Sequence, residues 1–510
     1  MDKIKFNFKG NYIAGRFEHP IDPNGEWTSK SPADFSDVLG KITYAYSDVD
    51  RAVEVATTAF KKWKKKPQAE RASLLLKYQK ALKDKQDLLS EAIAREVGKP
   101  LWEAKTEVAT MINKVDVTIN ESMKLIQNLN LTEVLPGTDG VCRYKPHGVM
   151  AVIGPFNFPG HLPTGHIVPA LLTGNTVIFK PSEKTPIVGQ IVAECFMEAG
   201  FDEGVFNLIQ GEKEVGRRLV THAGVNGVLF TGSFEVGMRM KQDTLQQYWK
   251  ILALEMGGKN SAIVWEDANF DLALADTFFG AFVTSGQRCT ATSRIIVHES
   301  LIDRFVSTFH EKAKKFTIDH PLKDPFIGSV IDATTVDRYL KFLGIAQREG
   351  CEMIMRGKAL DLEYKGNYVS PSICLVQKNS IKDIEQSVYQ QTELFAPNVC
   401  IIPTSNLDHA IELANATQYG LAASVFTASR EVYSKCQEDL EAGVINWNKP
   451  TVGASSKLPF GGTKKSGNHL PTALSATLYC TYPVASLEAK DEAKESKASM
   501  NKYPGTNWDT

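Results

Sequence analysis

The chain is 510 residues long, 43% apolar and 23% charged, with a formal net charge of −1. That length accommodates two or three domains with large cores, and the balanced charge leaves no basic footprint for nucleic acid. No run of eighteen apolar residues is present to span a membrane, and Met1-Asp2-Lys3-Ile4-Lys5-Phe6 lacks an apolar signal core. The eight cysteines contain no C-x-x-C pair, which speaks against a zinc site or a thioredoxin-type redox pair. A reduced, cytoplasmic protein with no metal and no membrane or nucleic-acid partner is the expectation.

The first third reads as helical after a short extended start. Ala52, Val55, Ala56, Ala59, Phe60 and Trp63 follow the i, i+3, i+4, i+7 rule of an amphipathic helix. A second helix is predicted from about Glu70 to Val97, stopped by Gly98-Lys99-Pro100, and a third from Trp102 to Asn128. From Gly148 the pattern changes. Short apolar runs (149–153, 176–179, 205–208, 227–230, 251–254 and 262–265) alternate with helix-like segments, the pattern of a buried parallel sheet with crossover connections. A second alternating series runs from Asp271 through Ala442. Two α/β domains are therefore expected, with a polar tail over 489–510 that is disordered or draped on a surface.

Ligands of open parallel sheets bind beyond the carboxyl ends of the strands, and several predicted ends carry unusual chemistry. Lys180-Pro181-Ser182-Glu183 can grip a ribose diol or form a solvated surface turn. A carboxylate there repels a 2′-phosphate, which favours NAD over NADP. Gly232-Ser233, with Gly237 further on, fits a pyrophosphate at a helix start or plain capping. Asn157, between Pro155-Phe156 and Phe158-Pro159, fits an oxyanion donor or a turn closure. Cys289, in Gly286-Gln287-Arg288-Cys289-Thr290, fits a nucleophile or a small buried apolar residue. Glu255, in Glu255-Met256-Gly257-Gly258-Lys259, fits a desolvated base or a surface acid.

Taken in order with Glu393-Leu394-Phe395-Ala396-Pro397, Pro459-Phe460-Gly461-Gly462 and Ser466-Gly467, these segments resemble the aldehyde dehydrogenase superfamily, from roughly residue 10 to residue 488. Local matches at 154–171, at Asn446-Trp447-Asn448-Lys449-Pro450, at Ser466-Gly467-Asn468-His469 and around Tyr479-Cys480 resemble one branch, whose substrate is a semialdehyde with several carboxylates. The resemblance implies an α/β fold with a Rossmann-like cofactor domain (1–127 and 147–256), an α/β catalytic domain (257–473) and a small β oligomerisation arm (128–146 with 474–488). It also implies a homodimer or homotetramer.

By the same resemblance Cys289 is the nucleophile, Glu255 the deacylating base, and Asn157 with the Cys289 N–H the oxyanion hole. The cofactor is NAD, with Lys180, Ser182 and Glu183 at the adenosine ribose, Gly232, Ser233 and Gly237 near the pyrophosphate, and Glu393 and Phe395 at the nicotinamide ribose. Arg288, Lys449 and His469 are candidate substrate contacts, with Arg288 and Lys449 equally readable as structural, and His161, His166 and His469 either line the aldehyde channel or are satisfied, non-catalytic histidines. Three positions depart from the pattern. Ala396 stands where glycine is usual and would crowd the cofactor, Lys259-Asn260 depart toward the wider superfamily, and Leu470 replaces an expected arginine. Competing readings are an acyl transfer to coenzyme A and a cysteine hydrolase without redox chemistry.

Overall fold

The computed structural model describes residues 3–490; the tail expected over 489–510 lies, beyond Lys490, outside the described residues. Two short strands, β1 (Asn11–Ile13) and β2 (Arg16–Glu18), and a hairpin, β3 (Gly25–Ser31) with β4 (Asp34–Tyr44), lead into four helices. These are α1 (Ser47–Trp63), α2 (Gln68–Asp84), α3 (Gln86–Val97) and α4 (Leu101–Asn120). The single helix predicted over 70–97 breaks at Lys85, whose backbone leaves the helical region. Leu82 and Leu88 are six residues apart across a polar run, so the apolar face loses its i+3/i+4 continuity there. Gly98 then ends α3 in the left-handed region at φ 82°. The helix predicted over 102–128 stops at Asn120, followed by a 3₁₀ turn over Ser122–Ile126.

After β5 (Leu129–Leu135) and β6 (Thr138–Pro146) comes the alternating series. It comprises β7 (Val149–Ile153), α5 (His161–Leu172), β8 (Thr176–Lys180), α6 (Pro186–Ala199), β9 (Phe206–Leu208), α7 (Lys213–Thr221), β10 (Gly227–Thr231), α8 (Phe234–Asp243) and β11 (Ile251–Glu255). The sheet runs β11-β10-β7-β8-β9-β1-β2. Its first five strands are parallel, with Val149 beside Thr176, Ile153 beside Lys180 and Gly227 beside Met150. Strands β7 and β8 are buried throughout because helices cover both faces. Met150 and Val152 join the core under α2 to α6, whereas Val149, Ala151 and Ile153 join the core under α1, α7 and α8. The chain builds β7, β8 and β9 in one direction, then crosses to β10 on the far side of β7. That reversal opens a crevice at the carboxyl ends of β7 and β10.

The second sheet begins with β12 (Asn260–Val264) and β13 (Thr292–His298), joined by α9 (Phe270–Phe282). Strands 398–404 and 372–376 extend it beyond β13, and 422–426 and 444–447 extend it beyond β12; all of these are parallel. Strand 351–355 adds an antiparallel edge. A separate three-stranded sheet pairs β5 and β6 with Thr481–Ala489. Leu478 and Tyr479, whose apolar character fits either a paired strand of the arm or core packing, lie on the short helix Ala476–Tyr479, where Tyr479 is buried in the core. Among the described residues no helix is long and apolar enough to cross a membrane.

Candidate active site

Cys289 sits on the turn between α9 and β13 and is half-buried. The approach to it is conformationally costly. Thr284, Ser285 and Gly286 all have positive φ (58°, 53° and 71°), and an L-residue in that region costs roughly 1–2 kcal/mol. Glu103 of α4 holds the turn: its carboxylate accepts from the Thr284 N–H (3.1 Å), the Thr284 hydroxyl and Arg288 Nη2 (2.9 Å). Gln287, fully buried, accepts from the Ile331 N–H at 2.9 Å through Oε1 and donates to the Thr284 carbonyl. On the other side, Asn260 Nδ2 donates to the Cys289 and Ala291 carbonyls (2.8 and 2.9 Å). A Cβ on Gly258 would lie 2.4 Å from the Cys289 carbonyl oxygen, so only glycine lets the two loops pass this closely.

Asn157 follows β7, and its amide donates to the Gln287 carbonyl at 3.0 Å, two residues before the cysteine. That bond uses one of two amide hydrogens, and the second is left to donate. The Cys289 N–H has no acceptor among the described hydrogen bonds. The Asn157 carbonyl takes a bond from the buried Lys99 Nζ at 2.8 Å, and Lys99 in turn pairs with Glu107.

Glu255 ends β11 and is 4% exposed. Its carbonyl accepts from the Gly232 N–H, and its Oε2 has no partner among the described residues. Burial raises its pKa well above the ordinary carboxylate value, with the Thr472 N–H opposing. The segment Gly461 to Asn468 frames it. Met256 N–H donates to the Ser466 carbonyl (2.9 Å), and the Asn468 side chain bonds the Leu254 N–H and Leu252 carbonyl. A Cβ on Gly461 would stand 3.0 Å from Glu255 Oε1. Glu393 is also pushed up, to about 7, by burial, with the Gly258 N–H (2.9 Å to Oε1) opposing. Burial, then the charges of Glu393 and Glu255, push the Cys289 thiol up to about 12, and Arg288 pulls it back in part. The thiol is therefore held protonated at neutral pH, not activated by a cation.

The residues expected to hold a dinucleotide lie along the carboxyl edge of the first sheet. Buried Lys180 Nζ bonds the Pro181 carbonyl (3.0 Å) and lies 3.8 Å from Glu183 Oε2. Ser182 Oγ accepts from the Lys184 N–H. Ser233 caps α8, its Oγ accepting from the Val236 N–H at 3.3 Å. Gly232, expected to leave its N–H outward, gives it to Glu255, so the outward donors are the following amides of α8. Gly237 is buried against Met256. A Cβ on Gly257 would strike the Glu393 carboxylate at 2.0 Å, and Phe395 meets Phe156 edge-on at 5.9 Å. Glu393 Oε2 has no donor among the described hydrogen bonds, so it is free for a diol. This donor set fits the nucleotide.

Three expectations need correction. The Arg288 guanidinium is engaged by Glu103 and by Thr284 Oγ1 (2.7 Å) and covers Phe158, so it is not free for a substrate carboxylate. The Ala396 methyl, expected to crowd the cofactor, is buried in an apolar cluster with Tyr339, Leu343 and Val369. His161 and His166 are held neutral, at about 4 and about 3, chiefly by burial, and His166 is bonded between Tyr479 and Thr231. Lys449 and His469 are exposed. Nearby, Thr451 donates to the Thr290 carbonyl at 2.7 Å, which brings the Lys449 segment beside the Cys289 turn. Lys99, Glu103 and Glu107 were not expected at the site, because as charged residues of a helical region they carry no motif; Gln287 lies in the Cys289 segment but had no expected role.

The pattern of the Aldehyde dehydrogenase family matches residues 22–482. An N-succinylglutamate 5-semialdehyde dehydrogenase of Novosphingobium aromaticivorans is 40% identical over 466 residues, 91% of this chain and 96% of that one. Its counterpart in Chromobacterium violaceum is 39% identical over 96% of this chain and 98% of that one. Among solved structures, a 1-pyrroline-5-carboxylate dehydrogenase from Thermus with bound NAD aligns with TM-score 0.87 at 31% identity, covering 94% of this chain and 93% of that chain.

The electrostatics set a pH dependence. Alkylation of Cys289 by iodoacetamide should still be rising steeply at pH 10, where an ordinary thiol with a pKa of about 8.5 is close to its plateau. Glu255→Gln removes a negative neighbour and should move the curve to lower pH. A plateau below pH 8 in the unaltered protein would contradict this account.

Proposed function

The chain belongs to the aldehyde dehydrogenase family, and we propose that it oxidises N-succinyl-L-glutamate 5-semialdehyde to N-succinyl-L-glutamate with NAD. The observation that carries this reading is the grouping of a half-buried thiol, an amide donor and a buried carboxylate with one oxygen unpartnered at the junction of the two sheets. The chemistry follows from their surroundings. A thiol pushed to about 12 must lose its proton as the carbon–sulfur bond forms, and that proton passes to solvent, which leaves Glu255 unprotonated for the later step. The free Asn157 hydrogen and the Cys289 N–H then donate to the oxygen that becomes negative. NAD, when bound, supplies the carbon that accepts the hydride. Glu255 next deprotonates the water that hydrolyses the Cys289 thioester.

In this reading residues 1–127 and 147–256 form the NAD-binding domain and 257–473 the catalytic domain. Lys180, Ser182 and Glu183 face the adenosine ribose, Ser233 and the first amides of α8 the pyrophosphate, and Glu393 with Phe395 the nicotinamide ribose. Lys449 and His469, exposed beside the site, are the proposed contacts for substrate carboxylates. Eight free cysteines and no disulfide among the described residues support a cytoplasmic setting. A second reading, another acidic semialdehyde, draws on Leu470, which packs against the first core where a guanidinium was expected.

A panel of semialdehydes followed by NADH formation separates the two. Succinylglutamate semialdehyde should give the highest kcat/KM by at least tenfold; equal rates on succinate semialdehyde or glutaraldehyde would leave only the broader reading. Cys289→Ala should form no NADH. Glu255→Gln should still release close to one NADH per site in a burst, with steady-state turnover lowered about 10²- to 10⁴-fold. Undiminished turnover would remove Glu255 from its role.

The three-stranded sheet is the proposed oligomerisation arm of a homodimer or homotetramer. Strand β5 is exposed along its whole length, and Leu129, Leu131, Leu135 and Leu487 present apolar side chains to solvent. Leu131→Glu with Leu487→Glu should at least halve the mass measured by light scattering. A monomeric unaltered protein would overturn the assignment.

A further inference from the structure

One stripe of α4 carries three buried charged side chains, and each grips a different loop of the site. Glu103, Glu107 and Lys114 are 0%, 2% and 1% exposed. Their spacing of i, i+4 and i+11 places them within about 40° of arc on the helix. Glu103 holds the nucleophile turn through Thr284 and Arg288. Glu107 accepts from the Gly160 and His161 N–H groups (2.9 and 3.0 Å) at the end of the Asn157 loop, and it pairs with Lys99, which bonds the Asn157 carbonyl. Lys114 donates at 2.8 Å to the carbonyl of Ala473, a residue held at φ 58°. Ala473 follows Thr472, whose N–H faces Glu255 and whose hydroxyl meets that of Tyr479 at 3.1 Å.

The clamps are joined to one another. Lys99 Nζ (3.9 Å) and the Arg288 guanidinium (5.0 Å) both lie over the Phe158 ring, so the oxyanion and nucleophile loops share one cation–π partner. Burying three charges on one helix face is costly compared with apolar packing of the same volume. A helix needed only as core filling would not carry them in register with three separate loops.

We propose that Glu103, Glu107 and Lys114 are positioning residues that use the rigid spacing of α4 to set the mutual distances of Cys289, Asn157 and the Glu255 loop. This inference rests on the roles given above to those three groups. It makes each clamp responsible for a different step. Glu107 governs formation of the oxyanion, Glu103 the placement and acidity of the thiol, and Lys114 the release of the acyl group.

The test is stopped-flow NADH release with glutaraldehyde and the succinylglutamate semialdehyde, together with iodoacetamide alkylation across pH. All rates are normalised to titrated Cys289, so that any unfolded fraction drops out. Glu107→Gln should slow the burst at least tenfold and leave alkylation within twofold. Lys114→Met should leave the burst within twofold and lower steady-state turnover at least fivefold. Glu103→Gln should slow the burst and move the alkylation curve to lower pH, because Arg288 loses its counter-charge. Glu103→Asp, Glu107→Asp and Lys114→Arg carry the same pattern at smaller amplitude, should a first variant fail to fold. Equal losses in every step for all three, or lower melting temperatures with unchanged normalised rates, would reduce the stripe to a structural role. The unaltered enzyme and Glu255→Gln test the catalytic reading separately, so its failure is distinguishable from failure of the clamps.

Discussion

Asn157 donating to the Gln287 carbonyl at 3.0 Å ties a loop of the first sheet to a loop of the second, and the site exists only where that tie is made. Each sheet has its own apolar cores and would be satisfied without the other. The two donors proposed for the oxyanion, however, come one from each side: an amide after β7 and the N–H of Cys289 before β13. Groups that must act on one atom have to be fixed to within about 0.5 Å, and a direct bond between their loops is the shortest way to achieve that. The close passage of Gly258 over the Cys289 carbonyl sets the same alignment from the opposite side.

Burial then separates the tasks of two carboxylates. Both are desolvated and both are raised, yet Glu393 receives the Gly258 N–H while Glu255 Oε2 receives nothing. A carboxylate with few donors stays basic, whereas one with a fixed donor on one oxygen presents the other in a defined direction. Burial, and after it the field of both carboxylates, holds the thiol protonated despite an adjacent arginine. Reactivity in such a site depends on proton transfer at the moment of attack and not on a standing thiolate.

The surrounding chain is organised to keep these groups dry and in register. The left-handed turn at Thr284 to Gly286 is unfavourable by itself and persists because a buried carboxylate and a buried amide bond it on several sides. The Ser466-Gly467-Asn468 segment satisfies the free edge of β11, so the strand carrying Glu255 has no exposed backbone there.

The amino-acid sequence alone determined the parallel strands of the first sheet, because short apolar runs between helices can be buried only that way; 149–153 and 227–230 fall on β7 and β10 almost residue for residue. It also offered Cys289, Glu255 and Asn157 as candidates, through the order of their motifs along the chain and the family resemblance that this order carries, since each alone reads equally as a buried, capping or turn residue. Tertiary structure alone decided the rest. Lys99, Glu103, Glu107 and Lys114 read as ordinary polar residues of a helical region, and only the fold shows that this face of α4 turns inward. Likewise the fate of Arg288, whether free for a ligand or paired with a partner 185 positions away, depends on a contact that no local pattern records. Local periodicity reports which residues are apolar and how they repeat, whereas the pairing of a buried charge is a long-range fact created when two distant segments meet.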